Sequence, residues 1–134
     1  MSAATTAREA AATAAEAIRS LNHQTHPGVV QIDAQLDVVD VYDVVAELAL
    51  LAARLPQLLT QLDRLVERLV EDDRVRIVNG THAGDPVAVA VVAGHWLTVG
   101  ATAAGGLAHA LDRAHQVLAD AATNDPASTS PDDC

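Results

Sequence analysis

From Val41 onward, Leu or Val recurs every seven residues, at Val41, Leu48, Leu55, Leu62 and Leu69. A second series lies three positions later, at Val44, Leu51, Leu58 and Leu65. These are the a and d positions of a heptad, which mark one seam along an α-helix. The position after the second series is also apolar, with Val45, Ala52, Leu59 and Val66. A stripe three positions wide suits the core of a helical bundle better than a lone two-stranded coil. The pattern predicts a helix over about 36–73, about 55 Å long at the usual rise. Pro56 falls inside it. A mid-helix proline removes a hydrogen bond and crowds the preceding turn. The heptad phase is nevertheless the same on both sides, and a loop would reset it. The helix is therefore expected to continue through Pro56 with a kink.

The most apolar stretch is GDPVAVAVVAGHWLTVG, residues 84–100, and no formal charge occurs from Pro86 to Leu111. Val87, Val89 and Val91 alternate as in a strand, but Asp85-Pro86 is a helix start. In heptad register, Ala90, Leu97, Ala104, Leu111 and Leu118 share one core position, and Ala93, Gly100, Leu107, Ala114 and Ala121 the other. The phase holds over a helix of about 85–122. The same stretch is long enough to cross a bilayer, and its Gly and Ala residues suit packing between membrane helices. Against insertion, His95, Thr102 and His109 repeat at seven-residue spacing on one face, and the flanks lack basic clusters. The preferred reading is a soluble bundle helix, with a membrane-inserted 86–111 as the alternative.

A shorter helix is expected over about 6–22. Thr6-Ala7-Arg8-Glu9 fits a capping box, and the Ala-rich run after it favours helix. Ala10, Ala14, Ile18 and Leu21 give it a weak docking face. Pro27-Gly28 marks a turn, and EDDRVRIVNGTHAGDP reads mainly as a loop, with Asn79-Gly80 as a turn pair. The polar, Pro-containing residues 123–134 read as a disordered acidic tail after a single helical domain over 1–122.

Composition sharpens this picture. Phe is absent, and Trp96 and Tyr42 are the only aromatics of the Phe/Tyr/Trp class. A core of Leu, Val and Ala buries little area per residue, at roughly 25 cal/mol per Å², so oligomerisation is expected to complete the bundle. The net charge of −10 opposes binding to phosphate backbones, so no nucleic acid is expected as partner. A basic protein partner remains open. Cys134 alone cannot form an internal disulfide or a metal site. The first twenty residues have no apolar segment and carry Glu9 and Glu16, so no secretory signal is read and a cytoplasmic location is expected.

Candidate chemistry is sparse. His23 and His26 in HQTH could touch a divalent metal, but spacing fixes no third ligand, and a polar turn with His23 capping the first helix is the simpler reading. His95 and His109 stand about 21 Å apart along a helix, too far to share a ligand. Asp33, Asp37, Asp40, Asp43 and Glu47 cluster where a helix N-terminus favours negative charge. No triad order, phosphate loop or zinc spacing occurs. No enzyme activity, cofactor or metal is therefore expected.

One charge pattern is more specific. The position before each a residue reads Asp33, Asp40, Glu47, Arg54, Gln61 and Arg68, acidic first and basic later. The corresponding third-helix positions are Val89, Trp96, Ala103, Ala110 and Val117, which cannot answer those charges. An inverted second copy of the same helix can, with Asp40 near Arg68 and Glu47 near Gln61 or Arg54. Flanking charges of this kind select partner and orientation. The expected interface residues are Asp40, Glu47, Leu48, Leu51, Arg54, Leu58, Leu62, Arg68 and Trp96, with Trp96 as an anchor beside small residues.

Three stretches, AIRSLNHQT (17–25), DVYDVVAELALLAARLPQLLTQL (40–62) and GDPVAVAVVAG (84–94), together resemble small uncharacterised Ala/Leu-rich helical proteins of actinobacteria. Those have an Ala-rich opening helix, an Asn-His turn, a Leu-rich helix with an Arg-Leu-Pro step and a final helix after Gly-Asp-Pro. This chain departs from them in its Val content over 87–92 and in Gly105-Gly106. The resemblance implies an all-helical fold and carries no activity with it.

The sequence thus predicts an all-α fold: a long antiparallel helical hairpin, a shorter N-terminal helix covering part of it, and a bundle completed by oligomerisation, with a homodimer as the expected form. Leu48, Leu55, Leu62, Leu97 and Leu111 are expected to be buried. The function read from this is non-enzymatic: a homo-oligomeric interaction or accessory protein. The alternatives are a small membrane-associated protein and an acidic antagonist of a basic partner.

Overall fold

A computed structural model describes residues 2–28 and 36–122. Asp33 and the tail over 123–134, including Cys134, lie outside the described residues. Among the described residues the secondary structure is helical and includes no strand: α1 spans Ala3–Gln24, α2 Val38–Glu71 and α3 Pro86–Ala122. The chain divides into two compact units, Met1–Asp40 and Val41–Cys134.

In the first unit α1 starts earlier than the Thr6–Glu9 capping box predicts. Ser2 is the N-cap, and its hydroxyl accepts from the Thr5 N–H at 3.2 Å. Thr6 sits inside the first turn and donates its hydroxyl proton to the Ser2 carbonyl. Ala3 and Ala4 are strong helix formers, so the helix extends back to the first residue that can cap it. At the other end the Thr25 hydroxyl donates to the Leu21 carbonyl, and the Thr25 N–H bonds back to the same turn. α1 buries none of its residues. The unit ends on the opening of α2, where the Asp37 N–H donates to the Asp40 carboxylate and the Asp40 N–H to the Asp37 carboxylate, at 3.0 and 2.9 Å. Two N–H groups that the helix leaves unpaired are thereby satisfied reciprocally.

In the second unit α2 runs unbroken through Pro56, as the constant heptad phase predicts. Past its end, Asp73 takes a left-handed conformation at φ 58°. Its N–H bonds to Val70 and that of Arg74 to Leu69, which closes the last turn in a Schellman arrangement. The loop back is pinned by the Gly84 N–H on the Ile77 carbonyl at 2.9 Å, with Gly84 at φ 78°, a conformation that favours glycine. Asp85 then caps α3 through the Ala88 N–H, with Pro86 as its first residue, as expected.

α2 and α3 meet at matching levels. The Tyr42 ring stacks on that of His115, Leu59 lies against Gly100, and Asp63 against Gly94. The 21 residues from Tyr42 to Asp63 therefore answer the 21 from His115 back to Gly94.

The contact is centred on small residues. Ala52, Ala90 and Ala104 are buried, and no large side chain among the described residues is fully so. The five leucines expected to be buried are not. Leu48, Leu55, Leu97 and Leu111 are half-buried, and Leu62 is 40% exposed. The cause is a rotation of α2 about its axis. Its contact line follows Val45, Ala52, Leu59 and Val66, the third apolar position of the stripe. Ala52 on this line is fully buried, whereas Leu51, Leu58 and Leu62 beside it are exposed.

Two glycines of α3 make a test of this packing. A Cβ on Gly105 meets nothing within 4 Å, whereas one on Gly94 would lie 2.6 Å from the Asp63 carboxylate. Gly105→Ala is expected to stabilise the fold by about 0.8–1 kcal/mol through helix propensity alone. Gly94→Ala should gain clearly less in urea unfolding, and the missing part should return in Gly94→Ala with Asp63→Ala. Equal gains from the two single variants would show that Asp63 does not press on α3.

Candidate interaction surface

Helical geometry advances 100° per residue, so the contact line divides each helix into a preceding and a following flank. On α2 the residues one before each contact centre are Val44, Leu51, Leu58 and Leu65. Those one after are Ala46, Ala53, Thr60 and Glu67. On α3 the preceding residues are Val89, Trp96, Ala103, Ala110 and Val117, and the following ones Val91, Thr98, Gly105, Asp112 and Ala119. The preceding flank is apolar throughout on both helices. The following flank mixes in hydroxyls and carboxylates, and His95, Thr102 and His109 extend its polarity.

The apolar flank is open. Leu58 is 48% exposed, Leu65 49%, Leu107 50% and Trp96 64%. The Trp96 ring touches the edge of the His95 ring, at 5.2 Å between centroids. Single exposed apolar side chains are ordinary on protein surfaces; an aligned row of them marks an interaction site.

Of the interface residues named from sequence, Leu51, Leu58, Leu62 and Trp96 are exposed and Leu48 is half-buried. Asp40, Glu47, Arg54 and Arg68 are exposed. Asp40 has a local role as well, because one of its carboxylate oxygens caps its own helix. Asp37 and Asp40 of the acidic cluster thus do what the helix dipole favours. An ion pair at 2.8 Å joins Arg19 and Glu16 on α1, with both side chains largely exposed, and pairs of this kind contribute little.

The histidines do not converge. His26 Nδ1 accepts from the Gly28 N–H at 3.0 Å and so closes the turn after α1. His115, on a different face from His95 and His109, is half-buried against Tyr42, with ring centroids 4.2 Å apart and planes 22° from parallel. Sequence spacing does not anticipate this pair, which joins residues 73 positions apart, although each lies in phase with the contact line. Among the described residues no group of three or more His, Cys, Asp or Glu side chains is placed to hold a metal ion. A groove between α2 and α3 is lined by Ala46, Ala49, Leu50, Ala53, Ala108, Asp112 and His115. Its lining is mainly apolar, with the Asp112 carboxylate and the His115 imidazole as its ionisable groups.

α3 is long and apolar enough to cross a membrane by length and composition, and only 11% of its most apolar window is buried. Comparison of the chain with protein-family models, with curated proteins and with solved structures finds no match.

The ring pair can be measured directly. In a double-mutant cycle over Tyr42→Ala and His115→Ala, the coupling is expected at about 0.5–1.5 kcal/mol, the range for stacked rings. Additive losses would mean that the rings do not act on each other in solution.

Proposed function

We propose that this chain is a non-enzymatic, self-associating helical protein, in which α2 and α3 form an antiparallel hairpin and further copies of the chain complete the bundle. The matched levels from Tyr42–His115 to Asp63–Gly94 support the hairpin. The observation that carries the reading is the uninterrupted apolar flank. Helices of the same hand that run antiparallel bring corresponding flanks to the same side of the pair. Val44, Leu51, Leu58 and Leu65 then join Val89, Trp96, Ala103, Ala110 and Val117 in one broad apolar face. The level matching sets Leu51 beside Leu107, Leu58 beside Val99, Leu62 beside Trp96 and Leu65 beside Val92. The opposite face carries Thr60, Arg64, Glu67, Thr98, Thr102 and Asp112.

A hairpin with three alanines as its buried core gains little from burial. Covering the broad face removes the leucines, valines and the indole from water together. A second reading has α3 inserted in a membrane, and its apolar length favours this. The polar line on the following flank opposes it, because hydroxyl, imidazole and carboxylate groups on one side of a span need partners that lipid does not provide.

The mass of the full chain in solution is expected near twice the 13.9 kDa of one copy. Leu58→Asp should bring it to one copy, and the wild type should remain in the supernatant after carbonate washing of expressing cells. A wild type monomeric at tens of micromolar would overturn the self-association reading, and retention in the washed pellet would favour the inserted helix.

A further inference from the structure

Self-association leaves the geometry open, since two hairpins can stack face to face in more than one way. Resting on the self-association reading, we infer that a second copy docks on the broad face through a two-fold axis perpendicular to the helices, passing Arg54 on α2 and Ala103 on α3. In this arrangement the Trp96 indole of each copy seats over Ala110 of the other.

Two independent patterns give the same axis. The first is charge on α2. At steps of seven, Asp40 and Glu47 are acidic, Arg54 and Arg68 basic, and Gln61 neutral between them. An axis at Arg54 places the second carboxylate oxygen of Asp40 near Arg68 of the other copy and Glu47 near Gln61, and it sets Arg54 beside its own counterpart, where the two long side chains splay into solvent. The second pattern is size on α3, and it is tied to the first only through the α2–α3 contacts. Twelve residues on from Tyr42 is Arg54, and twelve back from His115 is Ala103. Nine back from Asp63 is Arg54, and nine on from Gly94 is again Ala103. Ala103 is the middle of the series Val89, Trp96, Ala103, Ala110 and Val117. Inversion about it pairs Trp96 with Ala110 and Val89 with Val117, and sets Ala103 against itself. The one large side chain of the series meets one of its two small ones, and the remaining alanines meet at the crossing, where the backbones are closest.

The extent also fits. From Val44 to Leu69 the face is about 38 Å long at 1.5 Å per residue, and two packed helices are about 20 Å wide. The footprint is roughly 750 Å² per copy, close to the roughly 800 Å² per partner of a stable interface. An exposed indole within such a patch, two turns from its axis and with a small residue to receive it, has the form of an interface anchor. Stacking the hairpins about an axis parallel to the helices would instead lay Trp96 over Leu62 of the other copy and match none of the charges.

The test is a size swap in the full chain, read as the dimer dissociation constant by sedimentation, with helix content by circular dichroism as the folding control. Trp96 and Ala110 are exposed within one copy, so each variant should keep its helices. Trp96→Ala should weaken the dimer about 30-fold, as the loss of an anchor does. Ala110→Trp should weaken it about tenfold or more, because two indoles then compete for one seat. Trp96→Ala combined with Ala110→Trp exchanges the two sizes across the axis and should restore affinity to within about threefold. A second measurement does not depend on affinity. With Cys134→Ser, Ala103→Cys should cross-link two copies under oxidised glutathione, two thiols giving one disulfide, whereas Val117→Cys should not. A double variant as weak as its singles combined, or cross-linking at 117 rather than 103, would overturn this axis while leaving a dimer. A wild-type monomer under the same conditions would remove the underlying self-association reading as well.

Discussion

The burial of small side chains where α2 meets α3 is the constraint on which the rest of the second unit depends. Ala52, Ala90 and Ala104 place methyl groups where most helix pairs place leucines. Leu59, Leu97 and Leu111 share the line between the helices with these alanines, while Leu51, Leu58 and Leu65 occupy the flank. Gly94 belongs to the same constraint, since even one added carbon there would meet the Asp63 carboxylate. The apolar surface follows from how the helices meet and needs no further cause.

Much of the fold was legible because the heptad phase is strong. Three helices, the passage through Pro56 and the Asp85-Pro86 start all follow from spacing and terminal chemistry. The rotation of α2 was not legible. A stripe of Val44, Val45, Leu48, Leu51, Ala52 and Leu55 reads as one wide apolar band, and hydrophobicity alone ranks Leu51 above Ala52. The structure reverses that order: Ala52 is fully buried and Leu51 is 37% exposed. The early start of α1 escaped for a similar reason: Ser2 caps as well as Thr6, and the intervening alanines let the helix take the first site. The aromatic pair of Tyr42 and His115 needs the register between two helices, which one sequence does not contain.

The charged residues divide by position. Asp37, Asp40 and Asp85 are engaged at helix starts, where their carboxylates take up backbone N–H groups. Those of mid-helix, such as Glu47, Arg54 and Arg68, stand in solvent along the outer edge of the leucine flank. Local structure consumes the first group. The second group lies in solvent, where exposed charge contributes little to the stability of a fold. The same division explains why an acidic chain need not have an acidic site.

The loop over 72–85 sits at the end where the sequence separation between α2 and α3 is shortest. Asp63 meets Gly94 across 31 positions, and Tyr42 meets His115 across 73. Closing the longer chain segment costs about 0.8 kcal/mol more conformational entropy than closing the shorter. Contacts next to the loop are thus entropically cheapest to form first, and each one shortens the chain still to be closed for the next. The two helices would assemble as a zipper from the pinned Gly84 turn, with the aromatic pair as its final tooth. The end at Tyr42 and His115 is correspondingly where opening begins, so the most distant pair in sequence guards the helices against fraying.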